Sequence, residues 1–110
     1  MKSILVPTSQ ESMSRLDFDN CIDGDLIDIN ISDDDFSAMM NLGLIELLNK
    51  SLDLYIDEFE DEEIVGSDEL NHAKIIIENH FTIGKEKMVD IVLTQINKAI
   101  KYNTGIFFYF

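Results

Sequence analysis

The sequence predicts an α+β fold: about four α-helices packed on a small sheet of short strands that includes the N- and C-terminal segments. Three observations predict it. Residues 25–32 alternate apolar and polar side chains with a period of two. Several longer stretches space their apolar residues three and four apart, as one face of a helix requires. The chain ends in Ile106-Phe107-Phe108-Tyr109-Phe110, an unbroken apolar run that is an aggregation hazard unless a sheet buries it.

Each element follows from its residues. Ile4 to Val6 is a short apolar run closed by Pro7. It reads as an edge strand over residues 3–7, because proline cannot continue a central strand. Thr8 to Arg15 is polar and reads as a loop. Asn20 to Asp25, with Gly24, forms the turn into a strand over 26–32. There Ile27, Ile29 and Ile31 share one side, and Asp28 and Asn30 the other. Ser32 then caps a helix whose first turn, Asp33-Asp34-Asp35, suits the positive end of the helix dipole. Its apolar face is Phe36, Met40, Leu44 and Leu47/Leu48, and Gly43 marks a kink or a close helix contact.

Asn49-Lys50-Ser51 interrupts this helix. Leu52, Tyr55/Ile56 and Phe59 then repeat at helical spacing, whereas Leu52, Leu54 and Ile56 also alternate as in a short strand. The abundance of glutamate favours the helix. After Gly66, Ser67 caps a third helix with Leu70, Ala73, Ile76 and Ile77 inward. Phe81 to Gly84 is a turn. Lys85 to about Tyr102 is the fourth helix, with Met88, Ile91/Val92, Leu93, Ile96, Ala99 and Ile100 apolar, and Lys98 and Lys101 near its negative end. Asn103-Thr104-Gly105 ends it, and 105–110 is a strand in the interior of the sheet. At 110 residues and 45% hydrophobic content, residues 1–110 form a single domain with one core.

Charge narrows the function. The formal net charge is −14. Between Glu11 and Glu69 stand 19 acids against two bases, Arg15 and Lys50, whereas Leu70 to Phe110 is slightly basic. Such a field repels nucleic acid and anionic membrane as direct partners, and attracts cationic proteins. The sole cysteine, Cys21, allows no intramolecular disulfide. It fits a reducing cytoplasm and reads as a small, partly buried apolar residue. No apolar stretch approaches the length of a signal peptide or a membrane span.

Catalytic and metal signatures are weak. No Gly-x-Ser-x-Gly elbow, phosphate-binding glycine loop or HExxH pattern occurs, so no enzyme is expected. His72 and His80 lie two helical turns apart, too far to share one ion unaided. From Asp19 a calcium loop partly matches, with Asp23 fifth, Gly24 sixth and Asp25 seventh. Yet Cys21 holds the third position and Asn30 the twelfth, where a bidentate glutamate belongs. The expected reading is an acidic turn, without metal or cofactor. The informative feature is Asp57-Glu58-Phe59-Glu60-Asp61-Glu62-Glu63, a dense acidic run around one aromatic. With Asp53, these residues form the candidate partner-binding surface, the acids supplying rate and selectivity and Phe59 an anchor.

The stretch Phe36-Ser-Ala-Met-Met-Asn-Leu-Gly-Leu-Ile-Glu-Leu-Leu-Asn49, then Leu54-Tyr-Ile-Asp-Glu-Phe-Glu-Asp-Glu-Glu-Ile64, then Leu70, Ala73, Ile76 and Ile77, resembles cytosolic immunity proteins of contact-dependent growth inhibition and related polymorphic toxin systems. The similarity covers roughly residues 33–100 and lies in size, acidity and helical layout. It implies an immunity protein that neutralises the C-terminal domain of a cognate toxin, often a basic nuclease, by covering its active site. No residue-level motif transfers, so the site rests on charge. The alternative is a nucleic-acid mimic of another kind, an anti-restriction or phage-encoded inhibitor. A third class is a small acid-dependent hydrolase or a calcium module.

Overall fold

The computed structural model describes residues 2–110. Along the chain run β1 (Lys2–Pro7), α1 (Gln10–Asp17), β2 (Leu26–Ile31), α2 (Asp33–Leu42), α3 (Leu44–Leu52), β3 (Asp61–Val65), α4 (Ser67–His80), α5 (Lys87–Tyr102) and β4 (Gly105–Tyr109). The fold is α+β. The four strands form an antiparallel sheet in the order β2-β1-β4-β3.

Alternation along the strands gives the sheet two unlike faces. One carries Ile4, Val6, Ile31, Ile64, Ile106 and Phe108, and packs under α2 to α5 in the main core. The other carries Leu5 and Phe107 under a small cap, Leu16 and Met13 of α1, with Leu26 and Tyr109 at its border. Phe107 and Phe108 are both buried, because each side of the strand has its own cover. The C-terminal run is therefore an inner strand, as its composition demands.

Four larger features differ from the sequence expectation, besides the N-cap of α4, which is Gly66 and not Ser67. β1 is an inner strand between β2 and β4, not an edge. Pro7 is tolerated because it stands at the last position, opposite Leu26. The Thr8–Arg15 segment is mostly helix, with Ser9 accepting from the Ser12 amide as N-cap. α1 buries only Ser12 and Leu16, too few apolar residues to give a period.

The helix kinked at Gly43 is two helices. Gly43 has φ +78° and ends α2 in the left-handed conformation before α3 begins. Within α2 the inward residues are Phe36 and Met39, three apart, and Met40 is 46% exposed. Five helices result among the described residues, one of them unforeseen and none at 52–59.

That last stretch is the fourth difference. α3 stops at Leu52, with Asp53 left-handed, and the chain runs irregularly to Glu60 before β3. Asn49 stands in for further helical turns: its side chain donates to the Ile56 carbonyl at 3.0 Å and accepts from the Ile56 amide at 2.8 Å. A helix would set the carboxylates of 57–63 against one another at three- and four-residue spacing, a destabilising arrangement. The strand instead sends Glu62 to one face and Asp61 and Glu63 to the other.

Candidate functional site

The strand starts and ends that meet at one end of the sheet decide where the acids go. The start of β1, the end of β2, the end of β4 and the start of β3 lie together there. Asp33 follows β2, and the 53–60 loop precedes β3. Lys2 joins them, its ammonium 3.0 Å from Asp33 and 2.8 Å from Glu58, and 5.2 Å from the Phe36 ring centroid. The hydrogen bond to Glu58, then that to Asp33, raises the Lys2 pKa against the opposing effect of desolvation.

The predicted site residues are thus split by role. Glu58 is held by Lys2. Glu62 lies on the helix-side face of β3, and its carboxylate turns to the free edge. It accepts from the Tyr55 amide and from the Glu63 amide, each at 3.0 Å. Asp57 accepts from the Glu58 amide at 2.8 Å and is otherwise open. Asp53 is exposed at the end of α3, apart from β3 in sequence and role. Glu60, Asp61 and Glu63 are exposed and lack a cation within ion-pair distance among the described residues. Phe59 stands at the tip of the loop, 87% exposed, with φ +66°.

Sequence reasoning missed the other half of the surface. On the α1 side of the sheet, Asp61 is opposite Tyr109 and Glu63 opposite Phe107. Asp17, at the end of α1, is near enough for its charge to act on both Glu63 and Tyr109. Burial, then Asp17, then Glu62 push the Glu63 carboxyl above its usual pKa. Burial, then Asp61, Glu63, Asp17 and Cys21, push the Tyr109 phenol up. Carboxylates from two separated segments therefore act on one phenol, with no cation paired to them among the described residues. Asp28 faces the same side from the opposite edge, level with Leu5, Phe107 and Glu63 and about 14 Å from Glu63 across three strand spacings. Asp61-Glu62-Glu63-Ile64-Val65 carries no apolar–polar alternation that would mark a strand, and only the tertiary structure brings in Asp17.

Positive charge lies elsewhere. Lys74, Lys85, Lys87, Lys98 and Lys101 belong to α4, α5 and the turn between them, in the helix layer, and Lys87 is tied to Asp35 at 3.2 Å. Arg15 is the cation of α1, and it is consumed by Asp25. Its Nε and Nη2 donate to that carboxylate at 2.7 and 2.6 Å, with Ser12 Oγ and the Ile22 amide adding bonds at 3.0 and 2.9 Å. These donors, Arg15 first, hold Asp25 well below the usual carboxylate range.

The calcium-loop reading fails at its seventh position, which ligates through a backbone carbonyl: that of Asp25 is turned into the fold and accepts from the Thr8 amide at 2.9 Å. No group of three or more histidine, cysteine or acidic side chains is arranged to hold a metal ion among the described residues. His72 and His80 are exposed, and the Nδ1 of His80 lies 3.0 Å from the Ile76 carbonyl. Cys21, expected partly buried, is an exposed free thiol in the α1–β2 loop. No helix of the described residues is long and apolar enough to cross a membrane. Beside the acidic loop lies an open pocket of about 480 Å³ lined by Asn49, Tyr55, Asp57 and Glu60.

Comparison with known proteins places the fold. No family model matches the chain, and no curated protein matches it. Among solved structures it is similar to the Neisseria DNA mimic protein DMP12, with a TM-score of 0.68 at 15% identity over 100% of both chains. At that identity the likeness is one of fold.

Proposed function

We propose that this protein is a nucleic-acid mimic. Its acidic surface occupies the phosphate-binding surface of a DNA- or RNA-binding protein and so keeps nucleic acid out. One observation carries the reading: Asp61 and Glu63 stand beside Tyr109 on the α1 side of the sheet, within range of the Asp17 charge and with no cation paired to them among the described residues. Like-charge crowding costs folding energy. A structure that keeps it while every lysine except Lys2, which is held by Asp33 and Glu58, lies in the helix layer favours a cationic protein surface. The complete-length fold similarity to a DNA mimic protein supports the same reading.

The physical logic is that of competition. A protein that binds phosphates does so with lysine and arginine, and most of its non-specific affinity comes from that term. Carboxylates two residues apart on a strand, such as Asp61 and Glu63, lie about 6.8 Å apart along the strand. They offer a repeated negative charge without a flexible backbone.

The test is displacement. Lysate of the source cell is bound to immobilised duplex DNA and washed with this protein at low salt. The expected result is elution of a nucleic-acid-binding protein, and loss of that elution with the Asp17→Asn/Asp61→Asn/Glu63→Gln variant. Simultaneous binding of the captured protein to DNA and to this chain would sink the reading. Immunity against a toxin nuclease is the special case in which the captured protein itself cleaves nucleic acid, and a nuclease assay on the eluate identifies that case.

A further inference from the structure

The pocket beside the acidic loop is built more firmly than a solvated charge run requires. Three successive backbone amides of the loop are tied down. Leu54 donates to the Asn49 carbonyl at 3.0 Å, Tyr55 to Glu62 Oε2 at 3.0 Å, and Ile56 to Asn49 Oδ1 at 2.8 Å. The Asn49 amide is used at both ends, so it shapes the pocket wall and does not compete for a ligand. On this fixed backbone the Tyr55 side chain remains 77% exposed. An ordered loop that leaves a large aromatic unburied beside two carboxylates presents a formed recognition surface.

No cation of the described residues pairs with the carboxylates that line the pocket. Lys2, at the same end of the sheet, is shared between Asp33 and Glu58. Asp57 and Glu60, which line the pocket with Tyr55, form no ion pair among the described residues. Two carboxylates and an aromatic wall are the donor-poor, acceptor-rich complement of a planar cation with several N–H groups.

We propose that this pocket is the seat of one arginine side chain of the protein partner, with Tyr55 against the guanidinium face and Asp57 and Glu60 accepting its N–H groups. The proposal rests on the mimic reading for the existence of a cationic protein partner, and adds which side chain is anchored and where. Arginine suits the site better than lysine. Its guanidinium is planar, stacks on aromatic rings and is more weakly hydrated.

The test uses capped tripeptides Gly-Arg-Gly, Gly-Lys-Gly and Gly-citrulline-Gly, titrated into the ¹⁵N-labelled protein. The expected result is movement of the Asn49, Tyr55, Asp57 and Glu60 amides, with the arginine peptide binding about three-fold tighter than the lysine peptide. The neutral citrulline peptide should have no effect. The Asp57→Asn/Glu60→Gln variant should abolish the local response with the rest of the spectrum unchanged, and Tyr55→Leu should erase the arginine preference alone. Equal responses to arginine and lysine spread over all acidic positions, or a response to citrulline, overturn the seat. The two readings fail separately. Displacement from DNA that survives Asp57→Asn/Glu60→Gln removes the arginine seat and leaves the mimic. A local arginine-selective response without any displacement removes the mimic and leaves the seat.

Discussion

Phe59 combines a left-handed backbone, φ +66°, with an almost wholly exposed side chain. Aspartate and asparagine tolerate that conformation, and Asp19, Asp53 and Asn103 adopt it here. For phenylalanine it costs on the order of 1 kcal/mol, and burial offsets none of it. Phe59→Gly is therefore expected to raise stability by up to about 1 kcal/mol in denaturant titration, the gain limited by glycine's unfolded-state entropy. The same variant should weaken partner binding, and destabilisation would show that the ring packs. Charge at this scale sets pH dependence with opposite signs. Asp25 has a depressed folded pKa, so its contribution is present above the ordinary aspartate value near 4 and is lost as pH falls below it. Glu63 has a raised one, so it opposes folding at neutral pH, and that cost fades as pH falls through its folded value toward about 4.3. Glu63→Gln should raise the Tm at pH 7, with the gap to wild type closing near pH 4; a gap independent of pH would assign the effect to packing. The acids of 57–63 were legible as a group in the sequence. Their division into Lys2-bound, edge-capping and free members was not, because each depends on a partner distant in sequence or on strand phase.

Two glycines and one glutamate hold the elements in their places. Gly43 has open space around an added Cβ but φ +78°, so Gly43→Ala carries backbone strain alone, about 1 kcal/mol. Gly105 has the reverse problem: an added Cβ would lie 2.7 Å from Val65 Cγ2 and 2.8 Å from the Ile64 carbonyl oxygen. Gly105→Ala should cost about 1–3 kcal/mol by pushing β3 from β4. Thermal melts of both variants check the pair, and an unchanged Tm for Gly105→Ala would mean that β3 shifts freely. Glu62 works on the edge itself. With its carboxylate on the Glu63 amide it occupies a donor that the exposed edge of β3 would offer to another chain, and its bond to the Tyr55 amide ties the preceding loop to that edge. Glu62→Ala is expected to promote association, read by light scattering at neutral pH. α4 and α5 were readable because each repeats apolar residues over three or more turns. α1 was not, because it is held by a serine cap and by Arg15 on Asp25. β3 was not readable either, because Asp61-Glu62-Glu63-Ile64-Val65 lacks a period of two and its first three residues are acids poorly suited to strands.

Over the whole molecule, a net charge of −14 makes ionic strength a variable of both folding and binding. Five ion pairs among the described residues leave most of the 22 carboxylates without a cation. Raising salt from 10 to 150 mM shortens the screening length from about 30 to about 8 Å. Relief of self-repulsion should then raise the Tm by about 3 °C. A Tm that falls with salt would mean that the few ion pairs outweigh the repulsion. Association should move the other way, with the on-rate to a cationic partner falling at least ten-fold over the same range. The opposed responses follow from one cause: the charge that strains the monomer attracts its partner.

Composition and period by themselves determined that this chain forms helices on a sheet with its C-terminal run inside, since those signals are local and the hydrophobic effect acts on them directly. They also located the acid between residues 11 and 69. Only the tertiary structure decided that β1 is an inner strand, that β3 borders the sheet, and that Asp17 joins Asp61 and Glu63 around Tyr109. Strand order and charge convergence are set by which distant segments meet. Coulomb interactions depend on distance in space, and a sequence records only distance along the chain.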